Sequence, residues 1–315
     1  MTTPHPTYHG VLPLYKKSGP TSHDAVDAVR RILRQRSVGH AGTLDPAAEG
    51  LLVVLLGKAT KVARFLTSER KRYRAEITLG RESSTYDAEG VDWSSPIAAI
   101  PKLGSEELES VLDEFRGDIK QQVPAFSAVQ VDGERLYSKA RRGQKLERPV
   151  REVTIYSLNV ASFDGERLTL DVDCSSGTYI RSLAHDLGQK LGCGGYLSHL
   201  TRTACGRLTV EEAVTIEELE AANESGEIES HVLSIGKALG FSAVTVTEGF
   251  STRVRDGGRP AAADILRLNG GFAVGDHLLV MDPRGTVMAV GTAEVSSTQL
   301  TGQRGAILRY ERVLA

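Results

Sequence analysis

Apolar residues recur along this chain at two periods, and the places where the period changes divide it into elements. After Pro20, the spacing of Val26, Val29 and Leu33 predicts a helix over residues 22–34, with Ser22 able to cap it. Tyr73, Ala75, Ile77 and Leu79 then alternate with Arg74, Glu76 and Thr78, the pattern of a half-buried strand that turns Tyr73 inward. Behind Ser105, the stripe Leu108, Val111, Leu112 and Phe115 predicts a second helix, which Gly117 is placed to end. A further alternating strand, Leu168, Leu170, Val172 and Cys174, runs through Ser175-Ser176-Gly177 into a helix marked by Ile180, Leu183, Ala184, Leu187 and Leu191. Arg181 lies one residue off that stripe, at the first turn of a helix that follows a strand, where side chains commonly face a cleft. Thr209-x-x-Glu212 and Thr215-x-x-Glu218 have capping-box spacing and predict two short helices.

From about Val244 the helical period disappears. Short runs such as His277-Leu278-Leu279-Val280-Met281 and Thr286-Val287-Met288-Ala289-Val290 are separated by turn formers, Asn269-Gly270-Gly271 and Asp282-Pro283-Arg284-Gly285 among them. A small β-rich unit is expected there. A length of 315 residues agrees with one large domain plus a smaller one.

Net charge is only −2, but the charge is segregated. Seven cations, Arg135, Lys139, Arg141, Arg142, Lys145, Arg148 and Arg151, face the single acid Glu147, and Arg70, Lys71, Arg72 and Arg74 form a second cluster. Residues 209–230 carry eight glutamates and no lysine or arginine. The opening MTTPHPTYHG lacks the basic flank and apolar run of a secretory leader, and no stretch of about 18 apolar residues follows, so a cytoplasmic protein without membrane contact is expected. Cys174, Cys193 and Cys205 lack the paired spacing of zinc sites or disulfide frameworks and read as small buried apolar residues. His40, His185, His199 and His231 form no HxxxH pair, Gly57-Lys58-Ala59-Thr60 lacks the glycine spacing of a phosphate loop, and no metal site is expected.

The segment Gly39-His40-Ala41-Gly42-Thr43-Leu44-Asp45-Pro46-Ala47-Ala48-Glu49-Gly50 is dense in turn formers yet flanked by apolar patterns. An Asp before Pro is biased to extended or turn geometry, so the Asp45 carboxylate projects from a fixed backbone. An Asx-turn carboxylate with no chemical role accounts for the same local sequence.

This segment resembles the GHxGxLDP signature of the TruB family of tRNA pseudouridine synthases. The resemblance extends through Ser18-Gly19-Pro20-Thr21-Ser22, Lys71-Arg72-Tyr73-Arg74, Gln122-Val123-Pro124, Leu136-Tyr137, Gly177-Thr178-Tyr179-Ile180-Arg181 and Leu200-Thr201-Arg202. It implies an α+β catalytic domain, residues 1–244, on a mixed, mainly antiparallel sheet of the pseudouridine-synthase fold, with residues 124–151 an insertion that clamps RNA. It further implies a small C-terminal β-barrel, residues 245–315, resembling the PUA RNA-binding domain. Carried over by position, Asp45 is the nucleophilic aspartate, Tyr73 the aromatic that packs on the target base and Arg181 the ion-pair partner. His40 matches a residue that holds the RNA loop with its base extruded, while Tyr179 and Leu200 match the lining of the uridine pocket. Arg141, Arg142 and Lys145 belong to the RNA-clamping segment. The implied partner is the T-arm stem-loop of tRNA, met by a stand-alone monomer with no obligatory protein partner and no cofactor. Lys17 stands where the family usually has proline, and Gln130 where it usually has lysine, departures that touch RNA docking.

These residue types suit the implied chemistry. A carboxylate can attack either C1′ of the sugar or C6 of the base. An arginine beside it favours its charged form, and the planar guanidinium holds it through directed hydrogen bonds. Extruding a base costs a few kcal/mol, which stacking on an aromatic ring offsets.

Overall fold

The computed structural model describes residues 6–127, 129–131, 133–144 and 147–314. The first half runs β1 (Gly10–Lys16), α1 (Ser22–Leu33), β2 (Val38–Ala41), β3 (Glu49–Leu56), α2 (Ala63–Thr67), β4 (Lys71–Leu79), α3 (Ser105–Asp113) and β5 (Gly117–Gln122). Within the insertion follow β6 (Gln130–Val131), β7 (Glu134–Arg135) and α4 (Leu136–Arg141). The chain then returns through β8 (Val150–Phe163), β9 (Arg167–Cys174), α5 (Ile180–Lys190), β10 (Gly195–Cys205), β11 (Leu208–Thr209), α6 (Ile216–Ser225), α7 (Ile228–His231) and α8 (Ile235–Leu239).

These strands form one nine-stranded sheet ordered β1-β3-β10-β4-β9-β8-β5, with β2 on the flank of β3 and β11 on that of β10. Every pairing is antiparallel except β3 with β10, where Thr201 lies opposite Glu49 and Arg202 opposite Gly50. The near-continuous apolar run of β3 fits a strand covered on both faces. On one face α1 places Ala25, Val26, Val29 and Leu33 against β1, β3 and α6. Further along, α5 and α3 cover β4 and β9 through Ile180, Leu183, Ala184, Leu187, Leu108 and Leu112. The sheet is thus of mixed, mainly antiparallel α+β type.

The remaining elements are β12 (Ser242–Val246), α9 (Glu248–Arg255), β13 (Ile265–Asn269), β14 (His277–Met281), β15 (Val287–Ala293) and β16 (Leu308–Val313). They build a second sheet, β13-β12-β14-β15-β16. Its apolar residues Ala243, Leu279, Val287, Val290 and Leu314 join Ala41, Leu51, Val53, Leu55, Phe65 and Leu66 in one buried cluster, so the two sheets share a core. At the edge of this cluster the exposed His277 lies edge-on to Phe65, with ring centroids 5.0 Å apart.

Two expectations about helix ends are corrected. Thr21, not Ser22, caps α1, through a capping box with Asp24. Ser22 is buried, and its hydroxyl bonds the backbone of Leu44. Gly117 does not end α3, whose last helical residue is Asp113; it opens β5 with φ +79°. Among the described residues, no helix is long and apolar enough to cross a membrane.

Candidate active site

The loop between β2 and β3 is anchored at almost every backbone carbonyl. Arg202, on β10, donates Nη2 to Gly42 O at 3.0 Å, Nη1 to Thr43 O at 3.4 Å and Nε to Leu51 O at 2.8 Å. Ser22 Oγ bonds both Leu44 N, at 2.8 Å, and Leu44 O, at 2.9 Å. Lys16 Nζ donates to Pro46 O at 3.2 Å and to Pro20 O at 2.8 Å, while Ser18 Oγ donates to Ala47 O. Arg202 and Lys16 are both fully buried, and their charges are met by carbonyl dipoles. Burial lowers the Lys16 pKa, with Asp45 and Glu49 opposing. Gly50, at φ +100°, permits the close approach of β10: a Cβ there would lie 2.4 Å from Arg202 O.

From this fixed backbone, the half-exposed Asp45 reaches Arg181, whose Nε lies 3.0 Å from Asp45 Oδ2. The Arg181 side chain is only 8% exposed. Its Nη1 donates to Asp87 Oδ2 and Thr85 O, both at 3.3 Å, and its Nη2 to Phe126 O at 3.1 Å. The guanidinium is therefore oriented by three other residues, which leaves Nε for Asp45. A side chain held this way needs little reorganisation when charge moves on its partner.

The pair forms part of the wall of a cleft of about 700 Å³, also lined by Tyr73, Tyr179 and Leu200. Tyr73 on β4 stands opposite Arg202 in the register. Burial pushes its phenol up to about 12, with the Arg202 guanidinium pulling the other way, so Tyr73 is a neutral ring at physiological pH. Tyr179 is the residue before α5, where Gln121 bonds its backbone on both sides. The cleft also receives Arg64, Lys71, Arg151 and Arg202, and among its described lining residues Asp45 is the only carboxylate. Such a cavity favours a polyanion and offers one negative group to act on it. At its rim Arg64 donates Nη2 to Glu311 of β16 at 2.5 Å, so the second sheet orients a cleft residue.

The structure thus brings Asp45, Tyr73, Arg181, Tyr179 and Leu200 together. His40 lies on β2 outside the cleft lining, paired with Val54; its Nδ1 is buried without a partner among the described residues, and burial lowers its pKa. Arg141 is exposed, with its guanidinium 4.5 Å from the centre of the Tyr137 ring, and Arg142 pairs with Glu134. Lys145 lies outside the described residues. The second basic cluster is partly neutralised, with Arg72 left exposed. Arg70 and Arg74 are held by Asp173 and Asp171, and Lys71 is buried on the carbonyls of Thr67 and Glu69. Sequence reasoning missed Arg202, Lys16, Ser22 and Asp87, each a single polar residue whose partner is remote in the chain. Ser22 and Arg202 stood inside matched motifs, and Arg202 also carried a charge at an alternating position of β10 that faces the core.

Comparison with known proteins shows the family. The TruB family pseudouridylate synthase N-terminal domain profile matches residues 30–180, and the tRNA pseudouridylate synthase B C-terminal domain profile matches residues 181–243. The chain is similar to tRNA pseudouridine synthase B of Bacillus cereus, 43% identical over 257 residues, which are 79% of this chain and 83% of that one. With the Bacillus pumilus protein of the same name it is 38% identical over 288 residues, 90% of this chain and 92% of that one. Among solved structures, a chain of a Cbf5-Nop10-Gar1 complex superposes with a TM-score of 0.75 at 28% identity, covering 98% of this chain and 85% of that chain. A chain of an H/ACA RNP bound to a substrate RNA containing 2′-deoxyuridine gives a TM-score of 0.76 at 26% identity, covering 100% and 92%. An aspartate loop anchored from β10, its carboxylate on Arg181, and these matches along most of the sequence lead to one conclusion: the chain belongs to the TruB family of pseudouridylate synthases.

Proposed function

We propose that this enzyme isomerises uridine 55 in the T-arm loop of tRNA to pseudouridine, with Asp45 as its essential carboxylate and no cofactor. The observation that carries the reading is the single carboxylate of a cation-lined cleft, 3.0 Å from an oriented guanidinium. In the reaction the N1–C1′ bond breaks, the uracil turns and a C5–C1′ bond forms, the C5 proton leaving and N1 taking one up. No electrons are gained or lost. Asp45 attacks at C1′ or at C6, Arg181 keeps it aimed, and the neutral Tyr73 ring packs on the extruded base. Tyr179 and Leu200 line the pocket for that base, and His40 supports the opened RNA loop from outside the cleft.

Residues 1–244 form the catalytic unit in this reading, with 124–151 clamping the T-arm through Arg141, Arg142 and Lys145. Residues 245–315 act as a PUA-like RNA-binding unit. The likeness to a chain of a Cbf5-Nop10-Gar1 complex and to one of an H/ACA RNP favours a second reading, in which a guide RNA and protein partners select the uridine. The curated relatives, more similar in sequence, support the stand-alone enzyme.

The test incubates the purified chain alone with a T-arm stem-loop and maps pseudouridine. Product is expected at position 55 without guide or partner, and Asp45→Asn should cut turnover by about 10³-fold or more. RNA affinity should stay within about tenfold, or 1.4 kcal/mol. Parental turnover in the Asn variant would sink the role of Asp45, and turnover only with a guide RNA would establish the second reading.

A further inference from the structure

Tyr86 is a bulky residue with φ +67°, in the left-handed region that large side chains avoid. A strained residue persists when its surroundings over-determine it, and the groups around Tyr86 do so. Its ring stacks on the His185 imidazole, with centroids 3.8 Å apart and planes within 13°. Its carbonyl accepts from Leu197 N at 3.0 Å. Its hydroxyl accepts from Arg148 Nη1 at 2.8 Å, while Arg148 Nη2 donates to Gln122 Oε1 at 2.5 Å.

The neighbours of Tyr86 explain what the strain achieves. Thr85 supplies a backbone carbonyl and Asp87 a carboxylate oxygen to the same nitrogen of Arg181, each at 3.3 Å. With Tyr86 in this left-handed conformation, the chain bends so that both acceptors reach one nitrogen of Arg181. The interactions also close a ring. His185 lies on α5 one helical turn beyond Arg181, so both project from one face of that helix. The helix carries the stacking partner that fixes Tyr86, and Tyr86 fixes the two groups that fix Arg181. Arg148 adds a third party, because it belongs to the C-terminal end of the 124–151 insertion.

We propose that Tyr86 is a positioning residue for Arg181, coupling the 124–151 insertion to the alignment of the Asp45–Arg181 pair. The grip of Arg148 on the phenol holds the Thr85–Asp87 bend in place, and Nε of Arg181 stays on Asp45. Arg148, although part of the basic run, acts inward on the protein. The inference rests on the synthase reading above.

The experiment compares the parent with Tyr86→Phe, Arg148→Met, their double variant and Arg148→Lys. Single-turnover rate at saturating T-arm stem-loop, RNA Kd and Tm are measured for each. Tyr86→Phe keeps the ring on His185 and removes only the hydroxyl, so it is expected to fold. Its rate should fall about tenfold with Kd within twofold, and Arg148→Met should give the same split. The double variant should be no slower than either single one, because both remove the same hydrogen bond. Arg148→Lys, which keeps a donor for the phenol, should recover at least half of the missing rate. A parental rate in Tyr86→Phe, additive effects in the double variant, or a fall in Tm without a fall in rate overturns the proposal. An inactive parent would instead overturn the synthase reading, and the two failures are told apart because the parent is assayed first.

Discussion

The loop Gly42–Ala47 and the insertion 124–151 both depend on lysines and arginines, and they use them in opposite ways. Around the loop, Arg202 and Lys16 are buried, each on backbone carbonyls, and the chain is fixed at nearly every residue. In the insertion, Arg141 and Arg142 are exposed, one over a tyrosine ring and the other paired with a glutamate. A buried cation on carbonyls carries a desolvation cost that only fixed geometry offsets, so it specifies structure. Exposed cations are cheap to solvate and free to meet phosphates. Where the cation sits therefore decides whether it shapes the protein or its ligand.

Arg202→Met is expected to have the largest effect on this contrast. It strips Gly42 O, Thr43 O and Leu51 O of their donor, a loss of about 3 kcal/mol or more in denaturant unfolding. A loop displaced by about 1 Å should also lower the saturating rate roughly a hundredfold. A fully active variant would show that Ser22 and Lys16 suffice to hold the loop. Neutralising Arg141, Arg142 and Lys145 together should do the reverse, keeping the rate at saturating RNA and the melting temperature. The slope of log affinity against log salt should flatten by about 0.7–0.9 for each phosphate that no longer meets a cation. An unchanged slope would make this part of the insertion a solvated surface.

The smallest expected effect concerns pH at the flank of the loop. Burial first, and then Arg202 and His23, hold the His40 pKa below its ordinary value near 6.5. The unfolded chain then binds the proton more readily than the folded one, so stability present above pH 6.5 is lost as pH falls below it. His40→Gln should flatten the acid limb of a stability-against-pH curve between about pH 7 and pH 5. An unaltered limb would show that His40 contributes nothing to it.

Legibility from sequence followed the range of the interactions. The helix at 22–33, the strand at 71–79 and the helix carrying Arg181 are local patterns, and their apolar periods announce them. The loop with Asp45 was legible as a motif, and its flanking elements as alternation. What holds the loop was not, because Ser22 with Leu44 and Arg202 with Gly42 are pairs that only the finished sheet brings together. Ser22 was misread for the same reason: a serine at a helix start satisfies the capping rule, while the tertiary bond to Leu44 leaves no local trace. Tyr86 carried no signal at all, since nothing in its neighbourhood announces a left-handed backbone in a tyrosine. The basic clusters showed how many cations there were, but not that Asp171 and Asp173 on a neighbouring strand pair with two of them.

The parallel pairing of β3 with β10 also orders events in time. Arg202 Nε and Leu51 O are 151 positions apart in the chain, so during synthesis the aspartate loop emerges well before the side chain that clamps it. At about 5–20 residues per second the interval is about 8–30 s. Throughout it the nascent polypeptide displays an acidic turn with no arginine behind it and no cleft around it. Catalytic competence thus arrives at once, when the tenth strand docks between the third and the fourth, and a ribosome-bound fragment ending before residue 200 should bind RNA loosely and modify none.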